Sequence, residues 1–86
     1  MADGLFEVES SPTILTLVDR LSPTDEAELG RIVTLVRLNP WPDGVVKFSL
    51  QLDDNDLVVY NDGEWSVIYR IVARTLQLLD AWKTQP

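Results

Sequence analysis

Neither cysteine nor histidine occurs anywhere in this sequence of 86 residues. Without cysteine, the chain has no disulfide, no thiolate ligand for zinc and no cysteine nucleophile. Without histidine, it has no imidazole for acid–base catalysis or for metal binding. These two absences exclude Ser-His catalysis and the common zinc sites, and we expect neither a metal site nor a cofactor.

Basic residues are also scarce. The sequence has 7 Lys and Arg against 14 Asp and Glu, which gives a net charge of −7, and no two basic residues are adjacent. A protein that binds nucleic acid through its phosphates needs a basic face. We therefore expect no direct nucleic-acid binding. The acidic surface is either an ordinary solvated surface or one that attracts a basic protein partner.

Long apolar runs are missing as well. No run approaches the roughly 18 residues that cross a membrane. The first residues, MADG, are polar and acidic, unlike a secretory signal. An apolar fraction of 45% is enough for one core in a chain of this length. We expect one soluble domain over residues 1–86, located in the cytoplasm and not bound to membranes.

The first 40 residues predict a strand and two helices. Residues 5–9 alternate between apolar and acidic, which indicates a half-buried strand. Ser-Pro pairs at 11–12 and 22–23 are typical of helix starts, with serine as the N-cap and proline at the first helical position. Pro40 ends the second helix because a residue before proline avoids helical geometry. The buried stripes are predicted to be Ile14, Leu17, Val18 and Leu21 in the first helix, and Leu29, Ile32, Val33 and Val36, widened by Leu35 and Leu38, in the second.

The rest of the sequence predicts strands. Residues 45–52 alternate, with Phe48 and Leu50 on the apolar side and Lys47 on the opposite, hydrated side. Strands at 57–60 and 64–72 flank an Asn-Asp-Gly hairpin signal. Residues 75–82 read as a last strand or as a short helix. The predicted fold class is α+β, β-α-α-β-β-β(-β), with the N-terminal strand and the helical hairpin packed on an antiparallel sheet.

Few side chains suggest a site. The acidic run at 53–56 lacks the spacing of a calcium loop and is interpreted as a solvated turn. Trp41 in a proline-rich turn and Trp82 near the end of the last strand are candidates for partner binding, because large aromatics are enriched in interfaces. Trp65 and Tyr69 are interpreted as core residues. Arg70 and Arg74 are candidates for a small anion site.

Three sequence phrases resemble the RelE/ParE toxin superfamily. They are the opening strand with Phe6 followed by Pro12, the helix-ending stretch 38–44 (LNPWPDG), and the strand 63–71 (GEWSVIYRI). Lys47 stands where that family usually places basic residues. The resemblance covers the chain from Phe6 to about Ala81, and it implies the fold predicted above.

The sequence departs from the RNA-cleaving members of that family. Ser66 stands where those members have an arginine, and residues 81–84 (AWKT) stand where they have a basic pair. The remnants of the basic set are Lys47, Arg70 and Lys83. Cleavage of RNA through its 2′-OH needs clustered positive charge to stabilise the phosphorane, and isolated lysines do not supply it.

The resemblance implies a toxin component of a type II toxin–antitoxin system, or a diverged relative, that acts by protein binding with the RNA-cleaving residues lost. It also implies an antitoxin segment that packs along the helical hairpin and the sheet. Two alternatives stay open: a stand-alone acidic interaction module on the same scaffold, and an active ribosome-dependent mRNA interferase with an atypical site. The oligomeric state is not predicted.

Overall fold

A computed structural model describes residues 5–52 and 55–84 of the chain. Their elements follow in the order β1 (Glu7–Ser10), α1 (Pro12–Val18), α2 (Pro23–Leu38), β2 (Lys47–Leu52), β3 (Asn55–Asn61), β4 (Trp65–Val72) and β5 (Thr75–Lys83). The predicted order is confirmed, and the last segment is a strand. Of the predicted turn at 53–56, residues 53 and 54 lie outside the described residues. Asn55 and Asp56 belong to β3, so this half of the prediction is wrong, because the strand pairing with β2 extends to these residues.

Both helices begin as the sequence indicates. The amide of Ile14 donates to Ser11 Oγ at 3.2 Å, and the amide of Asp25 donates to Ser22 Oγ at 3.1 Å. The prolines that follow these serines occupy the first helical turn. Each serine thus satisfies one amide that the start of a helix leaves without a partner.

The five strands form one mixed sheet in the order β1-β5-β4-β3-β2. Strands β2 to β5 pair antiparallel with one another, as predicted for the C-terminal half. β1 joins the outer side of β5 in parallel. A parallel pair needs a long crossover connection, and here the chain between β1 and β5 includes both helices. No helix in the described ranges has the length and apolar composition to cross a membrane.

The core lies between the helices and one face of the sheet. Trp65, Val67 and Tyr69 of β4 are at most 2% exposed, and they pack with Ile32 and Val36 of α2. This confirms the predicted core face of β4, including its two large aromatics. Each buried apolar side chain of this size stabilises the fold by about 1.5–3 kcal/mol.

Two predicted members of the α2 stripe are wrong. Leu35 is 47% exposed and Leu38 is 59% exposed, whereas Leu29, Ile32 and Val36 are buried. Val33 is half-buried and packs against the core. A single sheet covers only one side of a helix, so the stripe is narrower than the apolar residues of α2 would allow.

The predicted orientation of β2 is also wrong. Lys47 is only 8% exposed, whereas Phe48 is 43% and Leu50 is 41% exposed. Lys47 pairs with Tyr60 and Tyr60 with Val67, so the lysine side chain lies on the helix side of the sheet. Alternation in a strand separates two faces, but it does not say which face the helices cover. The burial of Lys47 is possible because its amine donates a hydrogen bond to the main-chain carbonyl of Asn39.

Candidate functional site

The side chain of Lys47 contacts main-chain and carboxylate groups of the protein itself. Its Nζ donates to the carbonyl oxygen of Asn39, the residue that follows α2, and lies 3.8 Å from Asp43 Oδ2. Asp43 Oδ1 in turn accepts the amide of Lys47 at 3.1 Å. The lysine therefore joins β2 to the segment that ends α2. A buried amine held in this way is not free to contact a phosphate.

Lys83 lies at the opposite end of α2. Its Nζ is 2.9 Å from Asp25 Oδ1 and 3.6 Å from Glu28 Oε1, both in the first turns of the helix. Glu28 Oε1 also accepts the indole N–H of Trp65 at 3.0 Å. The positive charge of Lys83 is thus balanced by two carboxylates, which oppose the approach of a nucleic-acid phosphate.

Arg70 and Arg74 contact different parts of the molecule. Arg70 donates through Nε and Nη2 to Gln77 Oε1, at 3.1 and 2.6 Å, on the sheet face that the helices leave open. The guanidinium of Arg74 lies over the ring of Phe6, 4.6 Å from its centroid. These contacts join Arg70 to Gln77 and Arg74 to Phe6.

The three basic remnants do not converge. Lys83 contacts Asp25 and Lys47 contacts Asn39, positions that span most of α2. At about 1.5 Å per residue, these two contacts are separated by roughly 21 Å along the helix. Arg70 lies on the other face of the sheet. Charge stabilisation of a phosphorane needs several cations around the same oxygens, and these three residues do not provide it.

Two aspartates are fixed in turns. Asp43 Oδ1 accepts amides of Val45, Val46 and Lys47, and these hydrogen bonds, led by Val45, lower the pKa of Asp43. Partial burial acts to raise the pKa of Asp62, but amide donors in its hairpin and the hydroxyl of Tyr60 outweigh it, and the pKa is lowered. Both carboxylates remain ionised at neutral pH and serve to hold turns.

The pKa values of two tyrosines and one lysine are also shifted away from neutral pH. Burial, followed by the hydrogen bond to Asp62, raises the pKa of Tyr60 to about 12. Burial, followed by the negative charge of Asp43, raises the pKa of Tyr69. The hydrogen bond to Asp25 raises the pKa of Lys83. General acid–base catalysis needs a group that titrates near the working pH, and these shifts do not provide one.

The two candidate tryptophans lie on different surfaces. Trp41 is 56% exposed, and its ring meets the ring of Phe6 edge to face at a centroid distance of 6.1 Å. Trp41 and Pro42 line a cavity of about 310 Å³ with Ser49 and Val58 of the helix side. Trp82 is 42% exposed, and it pairs with Ser66 on the open side of the sheet. A single partner segment that covers the open side would therefore contact Trp82 and not Trp41.

The side of the sheet opposite the helices carries a continuous apolar row. Phe48 pairs with Val59 and Val59 with Ile68, so three apolar side chains lie next to one another across β2, β3 and β4. Leu50 and Leu57 form a second pair beside them. We call this surface the open face and define it by its apolar residues: Phe48, Leu50, Leu57, Val59, Ile68 and Trp82.

The other half of the same side is polar. Arg70, Gln77 and Glu9 are in register across β4, β5 and β1, and Gln77 Nε2 donates to Glu9 Oε1 at 3.3 Å. Asp80 pairs with Ile68, and Glu7 is exposed on β1. The open face is thus bordered by three carboxylates and one guanidinium. Such a surface suits a partner with an apolar stripe beside basic residues.

Sequence reasoning missed the open face, although a signal for it was present. Residues 57–60 are four consecutive apolar residues, and β4 is apolar at Trp65, Val67, Ile68 and Tyr69. A strand with apolar side chains on both faces differs from the simple alternation of a sheet with one solvated face.

The described ranges contain no group of three or more Asp and Glu side chains placed to hold a metal ion.

No family model matches this chain, and no curated protein has a significant sequence match to it. Solved structures do match. The archaeal RelE–RelB complex from Pyrococcus horikoshii contains a chain that superposes with a TM-score of 0.72 at 14% identity, over 92% of this chain and 94% of that chain.

Two bacterial complexes are similar in the same way. For the toxin–antitoxin complex RelBE2 from Mycobacterium tuberculosis, the TM-score is 0.75 at 17% identity, over 92% of this chain and 98% of that chain. For the intact Escherichia coli RelBE toxin–antitoxin complex, it is 0.61 at 11% identity, over 94% and 99%. The chain therefore has the RelE fold, and at such low identity the likeness establishes the fold alone.

Proposed function

We propose that this protein is a RelE/ParE-like toxin component of a type II toxin–antitoxin system, or a diverged relative of one, and that it acts by binding a protein and not by cleaving RNA. The observation that carries the proposal is the separation of the basic residues. Lys47 supports the end of α2, Lys83 is paired with Asp25 and Glu28, and Arg70 contacts Gln77 on the other face of the sheet.

The position of Ser66 adds to this argument. Ser66 is 2% exposed, and its Oγ accepts a hydrogen bond from Asn61 Nδ2 at 3.0 Å. An arginine at this position would have to displace its neighbours before it reached a substrate. We therefore expect that Ser66→Arg alone does not create activity, because the net charge of the chain also opposes docking on ribosomal RNA.

The partner surface in this proposal is the open face, on the side of the sheet away from the helical hairpin, where the resemblance also implies contact with an antitoxin segment. Its row of Phe48, Val59 and Ile68 leaves apolar area in water that a partner would bury. The neighbouring Glu7, Glu9 and Asp80 favour a partner with basic residues. The similar structures come from a complex of RelE with RelB and from two RelBE toxin–antitoxin complexes. By analogy, we propose an antitoxin-like protein segment as the partner of this chain.

The absence of RNA cleavage is tested by expressing the isolated protein and mapping transcript ends by primer extension. We expect no codon-positioned cuts. The same mapping is repeated with purified protein and purified ribosomes. Codon-positioned cuts that appear there and disappear in Arg70→Gln or Lys83→Met would overturn the proposal. Lys47→Ala is a poor test by itself, because loss of that buried lysine also removes a contact that supports the fold.

Partner binding is tested by co-expression with the product of the adjacent gene. We expect a stoichiometric complex that survives size-exclusion chromatography. Phe48→Lys should weaken it at least tenfold, because the substitution places a charge in the apolar row. Leu15→Lys is the matched control: Leu15 is also an exposed apolar residue, at 58%, but it lies on α1 away from the open face. Equal weakening by both substitutions, or by neither, would contradict an open-face interface.

A further inference from the structure

The outer edge of β2 offers main-chain groups to another strand. In the sheet of the described residues β2 is the last strand, so its outer side faces no other strand. The carbonyl of Val46 accepts the amide of Asn61 on the β3 side. Because main-chain groups alternate in direction along an antiparallel strand, the amides and carbonyls of Ser49 and Gln51 point outward.

The start of the same edge is covered by the chain itself. The carbonyl of Lys47 accepts the amides of Asp43 and Gly44 at 3.0 Å each, and the amide of Lys47 donates to Asp43 Oδ1. The turn that contains Asp43 and Gly44 therefore lies beside β2 at Lys47. A strand that pairs with this edge can use only residues after Lys47, which restricts its register.

The open part of the edge carries no charge. Charged residues make up 24% of this chain, but residues 48–52 (FSLQL) include none. Phe48 and Leu50 are 43% and 41% exposed on the open face, and Ser49 and Gln51 are exposed as well. Edge strands that stay single are usually protected by charges, prolines or bulges, whereas an uncharged apolar edge favours pairing. The edge of β2 is therefore suited to accept another strand.

The geometry of this edge fits a second copy of itself. In a two-fold dimer the two β2 strands run antiparallel, and the residue on the axis faces its own copy. With Leu50 on the axis, Ser49 of each copy pairs with Gln51 of the other, and both pairs join groups that point outward. With Ser49 on the axis, Gln51 would face Lys47 of the second copy, which the turn covers. Among the described residues, the Leu50 register therefore makes more hydrogen bonds than the Ser49 register.

The side chains are also complementary in this register. Leu50 meets Leu50 of the second copy on the open face, and side chains come closest in such non-hydrogen-bonded pairs. On the helix side, Ser49 lies opposite Gln51 of the second copy. Gln51 donates through Nε2 to Asp56 Oδ1 at 3.0 Å, so its Oε1 can accept the hydroxyl of that serine. The apolar row of the open face would then continue from one copy into the other.

We propose that the β2 edge is a homodimer interface, in which two copies pair antiparallel about an axis at Leu50 and join their sheets into one. The same patch contacts itself, so the assembly closes at two copies. One short strand pair is small beside the roughly 1,200–2,000 Å² of stable interfaces, and we expect micromolar or weaker association. The dimer is a property of the isolated chain, and it depends neither on the proposed toxin function nor on a partner at the open face.

Sedimentation equilibrium of the isolated full chain tests the dimer. We expect the mass to double as the concentration rises from micromolar to millimolar. The dimer fraction should increase with salt, because each copy has a net charge of −7 and salt screens the repulsion between them. A chain that stays monomeric at millimolar concentration in high salt would overturn the proposal.

A main-chain variant locates the interface. Ser49→Pro removes an outward amide without touching the ladder to β3, and proline is tolerated at sheet edges. It should weaken the dimer at least tenfold. Trp82→Lys is the matched control, because Trp82 is exposed on the open face but belongs to β5, away from this edge. A dimer that is lost in Trp82→Lys and kept in Ser49→Pro would mean that the open faces stack, and it would contradict edge pairing.

Cysteine substitution tests the register even if the proline variant does not fold. The chain has no cysteine, so each variant carries a single thiol. Leu50→Cys places two thiols on the axis at a Cα separation of about 4.5 Å, within the range of a disulfide bond. Phe48→Cys is equally exposed on the same face, but its two copies lie roughly 13 Å apart along the strands.

With oxidised glutathione, the Leu50→Cys protein should form an intermolecular disulfide bond at least tenfold faster than the Phe48→Cys protein. Equal rates would indicate random collision or stacked open faces and would sink the idea. These measurements need no partner protein. A monomer that still binds the product of the adjacent gene would therefore refute this inference alone, and a dimer that binds no such product would count only against the proposed function.

Discussion

The hydroxyl of Tyr69, in the middle of the sheet, donates a 2.6 Å hydrogen bond to the main-chain carbonyl of Pro40, just after α2. Both residues are almost fully buried. The bond ties the central strand to the segment that ends the long helix, and the amine of Lys47 reaches the neighbouring carbonyl of Asn39. Two polar groups from the sheet thus satisfy the consecutive main-chain carbonyls of the two residues that follow the helix.

Removing the Tyr69 hydroxyl should destabilise the fold. Tyr69→Phe leaves the buried carbonyl of Pro40 without its donor, which costs about 1–3 kcal/mol. Tyr60→Phe is the matched control, because the Tyr60 hydroxyl donates to the carboxylate of the exposed Asp62, which water can solvate instead. Urea unfolding at pH 7 measures both. A larger loss for Tyr60→Phe than for Tyr69→Phe would contradict this assignment.

The two core valines should differ. Val67 is 1% exposed, whereas Val33 is half-buried at the margin of the core. Val67→Ala should lower the free energy of unfolding by about 1–3 kcal/mol, through lost transfer free energy and a residual cavity. Val33→Ala should cost clearly less, because part of its side chain already contacts water. An equal decrease of the denaturant midpoint in Val33→Ala and Val67→Ala would contradict this difference in burial.

Stability should fall in acid, and Asp43 should contribute to the slope. The folded state lowers the pKa of Asp43 below its ordinary value of 3.8, mainly through the amides of Val45 and Lys47. The unfolded state therefore takes up this proton first, so the contribution is present above pH 3.8 and is lost as the pH falls through the folded value.

The contribution of Asp43 to the pH dependence of stability is measured with an asparagine variant. Asp43→Asn cannot titrate, so its free energy of unfolding should depend less steeply on pH below about 5 than that of the unaltered protein. Asp62 has the same sign of shift, and Asp43→Asn combined with Asp62→Asn should flatten the curve further. Unfolding curves measured from pH 3 to pH 7 decide this. Parallel curves for all three proteins would exclude the contribution of both carboxylates.

Substitution by methionine should change the stability of the protein at Lys47 but not at Lys83. Lys47→Met keeps the apolar stem but removes the donor to Asn39, and it should lower the denaturant midpoint. Lys83→Met removes an ion pair at the protein surface, and such pairs contribute little, so its midpoint should stay unchanged. We expect a lower denaturant midpoint for Lys47→Met than for Lys83→Met. The reverse ranking would mean that the Asp25 and Glu28 contacts are the more important ones.

The sequence by itself determined the elements of this protein, because their signals are local. Ser11 and Ser22 cap helices through bonds to amides three residues away. Gly63, with φ of 94°, ends the Asn-Asp-Gly turn where the pattern predicts a hairpin. Caps, turns and alternation depend on neighbours within a few residues, and they also carried the resemblance that predicted the fold.

Only the tertiary structure decided which sides of these elements are covered. The alternation of β2 separates Lys47 from Phe48, but the placement of α2 decided that the lysine is buried and the phenylalanine exposed. The distances between Lys47, Arg70 and Lys83 and the parallel pairing of β1 likewise depend on contacts between residues far apart in the chain. A strand pattern repeats every two residues whichever face is covered, so burial and site geometry come only from packing.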